Sequence, residues 1–418
     1  MDYALETYGC ALNQSDSHII SGLMQEMGYT LSEDAELRII NTCTVKTPTE
    51  HKIIRRLEAL SGDGCKVIVA GCLPAADQSI VDRFPRFSFI GTNVSDIRDA
   101  VRTVEAGARF VKIDVGSDKF SAPRASDSQF IDIVPIAEGC LGGCSYCITK
   151  RARGKLRSYD ADSIVERIED GVLRGVREFW LTAQDTGAYG ADIGCSLPEL
   201  LHSVCDVDGG FKIRVGMMNP DHALSFLDEL MTAYGNDKIY KFAHIPVQSG
   251  SDNVLRDMGR KYSAEDFIGL TSRIRESIPD ITLSTDVICG YPNETDRDFK
   301  LTLSLIRQVR PAVLNVSRFW PRPGTRAASL DQHPGRVTKE RSRRMSRLFS
   351  NIGLEENRRW VGWGGGALVS EANPDGTYTA RNHAYKPIIL EPAENMLGRE
   401  VKVRITDCTY YDLRGVIV

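Results

Sequence analysis

The chain has 418 residues, of which 42% are hydrophobic and 26% charged, and a formal net charge of −4 at pH 7. This composition fits a folded protein with two or three cores, and it excludes wholesale disorder and a globally basic nucleic-acid coat. No run of about 18 apolar residues is present, so we expect no membrane-spanning helix. The chain begins with a strand-like run and no secretory signal, so we expect a cytoplasmic protein. Its eleven cysteines then favour metal binding or catalysis over disulfides.

Short apolar runs alternate with amphipathic stretches over residues 1–113, which predicts a parallel α/β sheet domain. The predicted strands are Asp2–Glu6, Leu37–Ile40 and Lys66–Ala70, and the predicted helices are Ser15–Met27, Thr49–Leu60 and Asp77–Phe84. Residues 114–129 are polar and are expected to form a linker.

The strand–helix rhythm resumes over residues 130–359 and predicts a full or partial parallel barrel with its function at the carboxyl ends of the strands. The six predicted strands are Ile131–Ala137, Glu178–Thr182, Lys212–Met217, Lys241–Val247, Thr282–Ile288 and Ala312–Phe319. The helices between them include Ala161–Arg174, Ala223–Ala233, Ala264–Ser277 and Asp296–Gln308, and a basic helix, Thr338–Arg359, follows. Residues 360–418 read as short strands with Gly, Pro and Asn turns, which predicts a small all-β domain.

Three cysteines follow the first barrel strand with the spacing C-x3-C-x2-C, at Cys140, Cys144 and Cys147. A structural zinc site takes four ligands, and no fourth Cys or His lies nearby in the sequence. Three thiolates on a four-iron cluster instead leave one iron open to a small molecule. The motif resembles that of radical S-adenosylmethionine (SAM) enzymes, in which the open iron binds the methionine end of SAM. The resemblance implies that Tyr146 lies near the adenine of SAM.

A second set of cysteines follows three successive strands of the first domain, at Cys10, Cys43 and Cys72. Because the carboxyl ends of parallel strands share one edge of a sheet, we expect the three thiols to converge. Cys65 precedes its strand and is expected at the opposite edge.

The segments Thr7–Ser17, Asn41–Cys43 and Gly71–Cys72 resemble the N-terminal domain of the methylthiotransferases, and the resemblance extends over essentially the whole chain. It implies a second, auxiliary iron–sulfur cluster on the three N-terminal cysteines, and the use of two SAM molecules. It also implies an electron donor, a sulfur source, and a small C-terminal β domain of the type called TRAM.

Four further segments resemble the archaeal and eukaryotic branch of the family: Trp180–Gly190, His244–Ser251, Asp286–Pro292 and Phe319–Thr325. That branch adds a methylthio group to carbon 2 of N6-threonylcarbamoyladenosine in tRNA. One alternative is a methylthiotransferase that modifies an aspartate of a ribosomal protein. Another is a non-catalytic iron–sulfur protein that binds RNA.

The threonylcarbamoyl group carries a carboxylate, and bidentate arginine suits a carboxylate best. We therefore expect Arg151 or Arg153, in a basic run just after the third cysteine, to contact the modified base or the tRNA backbone. The resemblance implies SAM contacts at barrel strand ends, namely Gln184, Asp185, Gln248, Ser249 and Ile288.

Binding to tRNA needs a positive surface. Residues 336–359 hold eight Lys or Arg against three Glu, so this helix is expected to track phosphates. In the C-terminal domain Arg381, Lys386, Arg399 and Arg404, with Tyr378 or Tyr385 for stacking, form a candidate RNA cluster. A monomer is the default expectation.

Overall fold

The computed structural model describes residues 1–44, 47–116, 118–126, 128–391 and 396–418. Its first unit is a sheet whose strands are β1 (Asp2–Thr7), β2 (Thr30–Leu31), β3 (Leu37–Thr42), β4 (Lys66–Gly71), β5 (Ser88–Ile90) and β6 (Val111–Lys112). All pairings in it are parallel, in the order β2-β1-β3-β4-β5-β6. The helices around it are α1 (Ala11–Glu26), α2 (Thr47–Leu60), α3 (Cys72–Ala76), α4 (Ser79–Arg83) and α5 (Ile97–Glu105). The parallel α/β prediction is confirmed, and β3 and β4 are buried along almost their whole length, as expected for a sheet covered on both faces.

The predicted linker has little regular structure, but it is packed against the first unit. Residues 117 and 127 of it lie outside the described residues. The Lys119 side chain is buried, and a Cβ on Gly22 of α1 would lie 2.5 Å from the backbone of Pro123 and Arg124. Lys119 therefore forms buried ion pairs, whereas most of the other polar residues of the linker, such as Asp118 and Gln129, are exposed.

The second unit holds six parallel strands in two three-stranded sheets, in the orders β11-β10-β7 and β12-β13-β14. These strands are β7 (Ile131–Pro135), β10 (Glu178–Thr182), β11 (Lys212–Val215), β12 (Phe242–His244), β13 (Thr282–Cys289) and β14 (Val313–Arg318); a short antiparallel pair is formed by β8 (Ala137–Glu138) and β9 (Arg157–Ser158). An isolated parallel bridge between Ile213 and Ile239 joins the two sheets. This arrangement confirms a partial barrel.

Helices of the second unit cover the outside of the barrel. They are α6 (Thr149–Arg153), α7 (Ala161–Leu173), α8 (Leu197–Asp206), α9 (Pro220–Ser225), α10 (Leu227–Tyr234), α11 (Asp252–Met258), α12 (Ala264–Ser277), α13 (Asp296–Val309) and α14 (Gly335–Arg358). The single helix predicted over Ala223–Ala233 is wrong, because Phe226 (φ −141°, ψ 35°) leaves the helical region and separates α9 from α10. By contrast, α13 begins with the capping box formed by Thr295 and Asp298.

The third unit is a closed five-stranded barrel in the order β15-β16-β17-β19-β18. Its strands are β15 (Gly364–Ala372), β16 (Tyr378–Arg381), β17 (Pro387–Leu390), β18 (Glu400–Cys408) and β19 (Leu413–Ile417). The small all-β prediction is confirmed. In the described parts of the chain, no helix is both long enough and apolar enough to cross a membrane.

Much of the predicted RNA-binding cluster on the third unit is not available to RNA, so that prediction is largely wrong. Several of its residues are buried where this unit packs against the second unit. The Tyr385 ring lies 4.8 Å from the ring of Tyr240, and it is buried. Lys386 is also buried, and its Nζ donates to Asn357 Oδ1 of α14 at 2.8 Å. Arg381 donates to Glu371 and stacks on Tyr385. Of the four predicted cations, Arg399 and Arg404 are exposed.

Candidate active site

The loop with Cys140, Cys144 and Cys147 connects β8 to α6 at the carboxyl end of the first barrel strand. Gly139 permits the turn: its φ is +72°, and a Cβ there would lie 1.9 Å from the carbonyl oxygen of Lys155. A Cβ on Gly142 would lie 3.2 Å from Cys140 Sγ and 3.7 Å from Cys144 Sγ. Two of the thiols therefore flank the same glycine.

Backbone amides point at the sulfur atoms of this loop. Gly142 N–H donates to Cys140 Sγ at 3.2 Å, and Thr149 N–H donates to Cys147 Sγ at 3.4 Å. Burial raises the pKa of Cys140 to about 11, although the amide of Gly142 opposes the rise. A thiol with a raised pKa stays protonated at neutral pH until it coordinates a metal, because coordination removes its proton outright. These thiols are therefore suited to holding a metal centre.

The number of cysteines in the loop bears on what it can hold. A structural zinc site takes four protein ligands, and this loop offers three cysteines. A cluster of several irons and sulfides is larger than one ion, and three cysteines around a glycine-rich loop suit it.

The structure brings Cys10, Cys43 and Cys72 together at the carboxyl edge of the first sheet, around the side chain of Asn13. Asn13 Oδ1 lies 3.9 Å from Cys10 Sγ and 3.5 Å from Cys72 Sγ. A Cβ on Gly9 would lie 3.0 Å from Cys43 Sγ and 3.1 Å from Asn13 Nδ2. Cys65, in contrast, precedes β4 at the opposite edge.

Arg153 belongs to this second group of cysteines, which corrects the prediction that it contacts substrate. Its side chain is 2% exposed. Its Nη2 donates to Asn13 Oδ1 and to Asp16 Oδ2, both at 2.7 Å. The guanidinium is therefore committed inside the protein, where it connects α6 of the three-cysteine loop to the other thiols.

Four buried charges surround this contact. Lys119 Nζ lies 2.5 Å from Asp16 Oδ1 and 2.8 Å from Glu138 Oε1, and Arg153 also faces both carboxylates. Burial alone would raise the pKa of Asp16, but Arg153 and Lys119 hold it below its usual value. The four side chains come from α1, the segment after residue 113, β8 and α6, so the network joins the first unit to the barrel.

Asp185 is the second correction, because its carboxylate has no capacity left for SAM. Its Oδ1 accepts from the amides of Gly187 and Asn219, and its Oδ2 accepts from Asn219 Nδ2 and contacts His222 Nδ1 at 2.9 Å. A carboxylate offers about four acceptor positions, and all are used. Asp185 thus positions Asn219 and His222, and its hydrogen bond raises the pKa of His222.

The other predicted SAM residues divide into two groups. Gln184 Oε1 is buried without a hydrogen-bond partner among the described residues, so it is ready to accept from a bound ammonium or hydroxyl group. Gln248, whose φ of 69° is left-handed, and Ile288 both line a cavity beside Cys147, which is called the main cavity below. The Ser249 hydroxyl is instead buried and lies 3.3 Å from the Thr302 hydroxyl of α13, so its contact with SAM stays a prediction that this packing does not favour.

Tyr146 is held by groups that the sequence did not indicate. Its hydroxyl accepts from Arg260 Nη2 at 2.5 Å, and its ring packs edge-on against Tyr291. Arg260 also donates to Asn219, which links the three-cysteine loop to the residue that Asp185 positions. Arg260 and Asn219 carry no local sequence signal, because only the closed fold brings them to the loop.

The main cavity, of about 460 Å³, opens beside Cys147. Its walls come from the three-cysteine loop, the ends of β13 and β14, the loop after β14, and α14. They include Tyr146, Cys147, Gln248, Ile288, Arg318 and Ser346. A cavity of this size at the carboxyl ends of barrel strands suits a small-molecule or nucleobase ligand. Arg151 lines a smaller cavity on the other side of the loop, with Pro323 and Gly324.

The outer face of α14 is basic next to this cavity. Arg336, Lys339, Arg343 and Arg347 are exposed and recur at helical spacing, and none has a carboxylate partner among the described residues. Ser346, between two of them, lines the cavity wall. The predicted phosphate surface is therefore at the cavity entrance.

Three family models match successive parts of the chain. Residues 2–91 match "Uncharacterized protein family UPF0004", residues 134–306 match the Radical SAM superfamily, and residues 366–418 match the TRAM domain. A protein of Pyrococcus horikoshii named "Probable threonylcarbamoyladenosine tRNA methylthiotransferase" is 42% identical over 99% of each chain. The Drosophila melanogaster protein named "Threonylcarbamoyladenosine tRNA methylthiotransferase" is 38% identical over 99% of this chain and 77% of its own.

The chain belongs to the threonylcarbamoyladenosine tRNA methylthiotransferase family. It is thus a radical SAM enzyme, as the three-cysteine motif indicated. Solved structures support the fold of this methylthiotransferase. TsrM of Kitasatospora setae, a radical SAM methyltransferase with a [4Fe-4S] cluster and cobalamin bound, covers 94% of this chain and 83% of its own at a TM-score of 0.56 and 14% identity. OxsB covers 83% of this chain and 56% of its own at a TM-score of 0.55 and 10% identity.

Proposed function

We propose that the chain adds a methylthio group to carbon 2 of N6-threonylcarbamoyladenosine in tRNA. The observation that carries the proposal is the pair of cysteine triads on either side of α6, connected through Arg153 and Asn13. Two iron–sulfur centres connected through one arginine fit a reaction that needs both a sulfur atom and a radical. The family membership supports the same reaction and substrate.

The two triads have different roles in this proposal. Cys140, Cys144 and Cys147 hold the cluster that binds SAM, and Cys10, Cys43 and Cys72, within residues 1–113, hold the auxiliary cluster. When bound, the clusters and SAM supply the sulfur, the methyl group and the radical chemistry.

The chain itself binds and orients the reactants. The buried, unpartnered Gln184 Oε1 accepts a hydrogen bond from SAM, and Tyr146, fixed by Arg260, packs near its adenine. The target base enters the main cavity, and the basic face of α14 binds the adjacent phosphates.

The reaction also needs partners. We propose an electron donor and a sulfur source that act on a monomeric enzyme in the cytoplasm.

Anaerobic turnover tests this proposal. The reconstituted protein is incubated with SAM, a strong reductant and threonylcarbamoylated tRNA, and nucleosides and SAM products are identified by mass spectrometry. We expect the methylthio nucleoside together with 5′-deoxyadenosine. Cys144→Ser abolishes both products, whereas Cys72→Ser retains SAM cleavage and loses the methylthio product. Formation of 5′-deoxyadenosine with a fully loaded enzyme and unchanged tRNA contradicts the proposed substrate.

A further inference from the structure

Arg318 is the last residue of β14, and its side chain lines the main cavity. Strand pairing fixes its backbone: it lies opposite Cys289 of β13, and the next amide, of Phe319, donates to the Cys289 carbonyl at 2.9 Å. The guanidinium lies 5.1 Å from the ring centroid of Trp320. A strand end and an aromatic ring therefore fix the position of this cation.

Other cations near the cavity are already committed. Arg322 also lines the cavity, but its Nη1 lies 2.6 Å from Glu50 Oε2 and its side chain is buried. Arg260 donates to Tyr146 and Asn219. The guanidinium of Arg318, by contrast, has no carboxylate partner and no side-chain hydrogen bond among the described residues; the neighbouring ion pairs are those of Arg310 and Arg322. It is thus a guanidinium on a cavity wall with its donors available.

We propose that Arg318 binds the carboxylate of the threonylcarbamoyl group and so makes the enzyme specific for the modified adenosine. This inference rests on the proposed function. A guanidinium offers parallel N–H donors that match a carboxylate bidentately, and unmodified adenosine has no such group. The assignment replaces the predicted role of Arg153, whose donors are used inside the protein.

The carboxylate of SAM is the other carboxylate that could reach the cavity. Gln184, whose unpartnered Oε1 is proposed to contact SAM, and Asn219 follow β10 and β11, and neither is among the residues that line the main cavity. Arg318 ends β14, at the far edge of the strand order. It adjoins α14, whose Ser342 and Ser346 share the cavity wall and whose basic face suits phosphates. This neighbourhood favours the carboxylate of the tRNA.

Binding of three anticodon stem-loops to the reconstituted holoenzyme, without SAM, tests the assignment. The stem-loops carry unmodified adenosine, N6-threonylcarbamoyladenosine, or its neutral amide. We expect the wild type to prefer the natural carboxylate by about tenfold or more, since a charge-assisted hydrogen bond contributes on that scale. Arg318→Gln is expected to bind all three stem-loops with similar affinity.

A matched control separates recognition of the modification from general affinity. Arg343→Gln makes the same chemical change on the exposed face of α14. This variant is expected to lower the affinity for all three stem-loops by the same factor and to retain the preference for the carboxylate. Iron content and melting temperature confirm that both variants are folded and loaded. The comparison of acid and amide in the wild type needs no variant at all.

Two results overturn the assignment. One is a preference for the carboxylate that persists in Arg318→Gln. The other is equal wild-type affinity for the acid and its amide. In the first case a separate titration with SAM identifies the bound carboxylate: if Arg318→Gln has lost SAM affinity, that carboxylate belongs to SAM. Turnover in the same wild-type preparation separates the two proposals. Absence of the methylthio product contradicts the proposed function. If the product forms and Arg318→Gln still prefers the carboxylate stem-loop, only the present inference is contradicted.

Discussion

Replacing Arg153 with glutamine removes a guanidinium from a pocket in which its charged neighbours are also buried. Asp16, Lys119, Glu138 and Arg153 each have side chains that are 1–2% exposed. After the change, two carboxylates face a single ammonium, and Asn13 Oδ1 loses a donor. Breaking a buried ion pair by removing one partner costs about 3–5 kcal/mol, because it leaves an uncompensated charge in a medium of low polarity.

Thermal melting of the wild type and of two glutamine variants measures this cost. The network joins the first unit to the barrel, so its loss is expected to lower the melting temperature by roughly 5 °C, because 1 kcal/mol corresponds to about 1 °C for a chain of this length. Arg151→Gln is the matched control, because Arg151 lies two residues away on α6 and is exposed. An exposed cation contributes at most about 1 kcal/mol, so this variant is expected to melt close to the wild type.

The comparison can refute the reasoning directly. If Arg153→Gln melted together with Arg151→Gln, the buried network would not stabilise the fold, and the placement of Arg153 beside Asn13 would be in error. A pH series on both variants gives a further check. The pKa of Asp16 lies below its usual value, so the stability that it contributes is present at neutral pH and is lost as the pH falls through that lowered value.

Three other expectations follow from the same contacts. The double variant Arg343→Gln, Arg347→Gln is expected to reduce the slope of log affinity for tRNA against log salt by about two, since each cation neutralises one phosphate; an unchanged slope contradicts the phosphate surface on α14. Burial lowers the pKa of Lys386 from 10.5 to about 8, so between these values the unfolded chain binds more protons than the folded one and stability rises with pH. Lys386→Met buries no charge at this position, so we expect it to melt above the wild type at pH 7. The wild type gains stability as its buried ammonium loses its proton, so the difference in melting temperature is expected to shrink toward about pH 10. A constant difference excludes titration of the buried ammonium. Cys72→Ser is expected to reduce bound iron to that of one cluster, whereas Cys65→Ser, at the opposite edge of the sheet, leaves it unchanged; equal iron in both variants contradicts the auxiliary site.

The cysteine positions could be predicted because strand periodicity and ligand spacing are local properties. Cys10, Cys43 and Cys72 each follow a strand of one parallel sheet, so the topology alone brings them to a common edge. Residues 140–147 carry their own glycines, and Gly139 takes the left-handed backbone that the loop requires. No knowledge of packing between units is needed for either argument.

The arginines could not be assigned in this way. Arg151 and Arg153 are two residues apart in a basic run, and the sequence does not say which face of a helix as short as α6 is covered. The first unit covers the face with Arg153, which becomes buried. Arg318 belongs to a predicted strand, but the sequence does not show which of the two cavity arginines has a partner. The structure pairs Arg322 with Glu50 and leaves the guanidinium of Arg318 available.

The same limit applies to the C-terminal barrel. Lys386 and Tyr385 resemble an exposed RNA-binding pair in the sequence, yet both lie in the contact with α14 and β12. Charge counts describe a surface only when the packing of the units is known.

A labelling experiment tests the central claim most directly. The reconstituted enzyme is given SAM with a deuterated methyl group and an equal mixture of threonylcarbamoylated and unmodified tRNA under anaerobic, reducing conditions, and the nucleosides are analysed by mass spectrometry. We expect a deuterated methylthio group on N6-threonylcarbamoyladenosine and none on adenosine. Abundant 5′-deoxyadenosine with no label in either nucleoside would contradict the claim that this chain is a threonylcarbamoyladenosine tRNA methylthiotransferase.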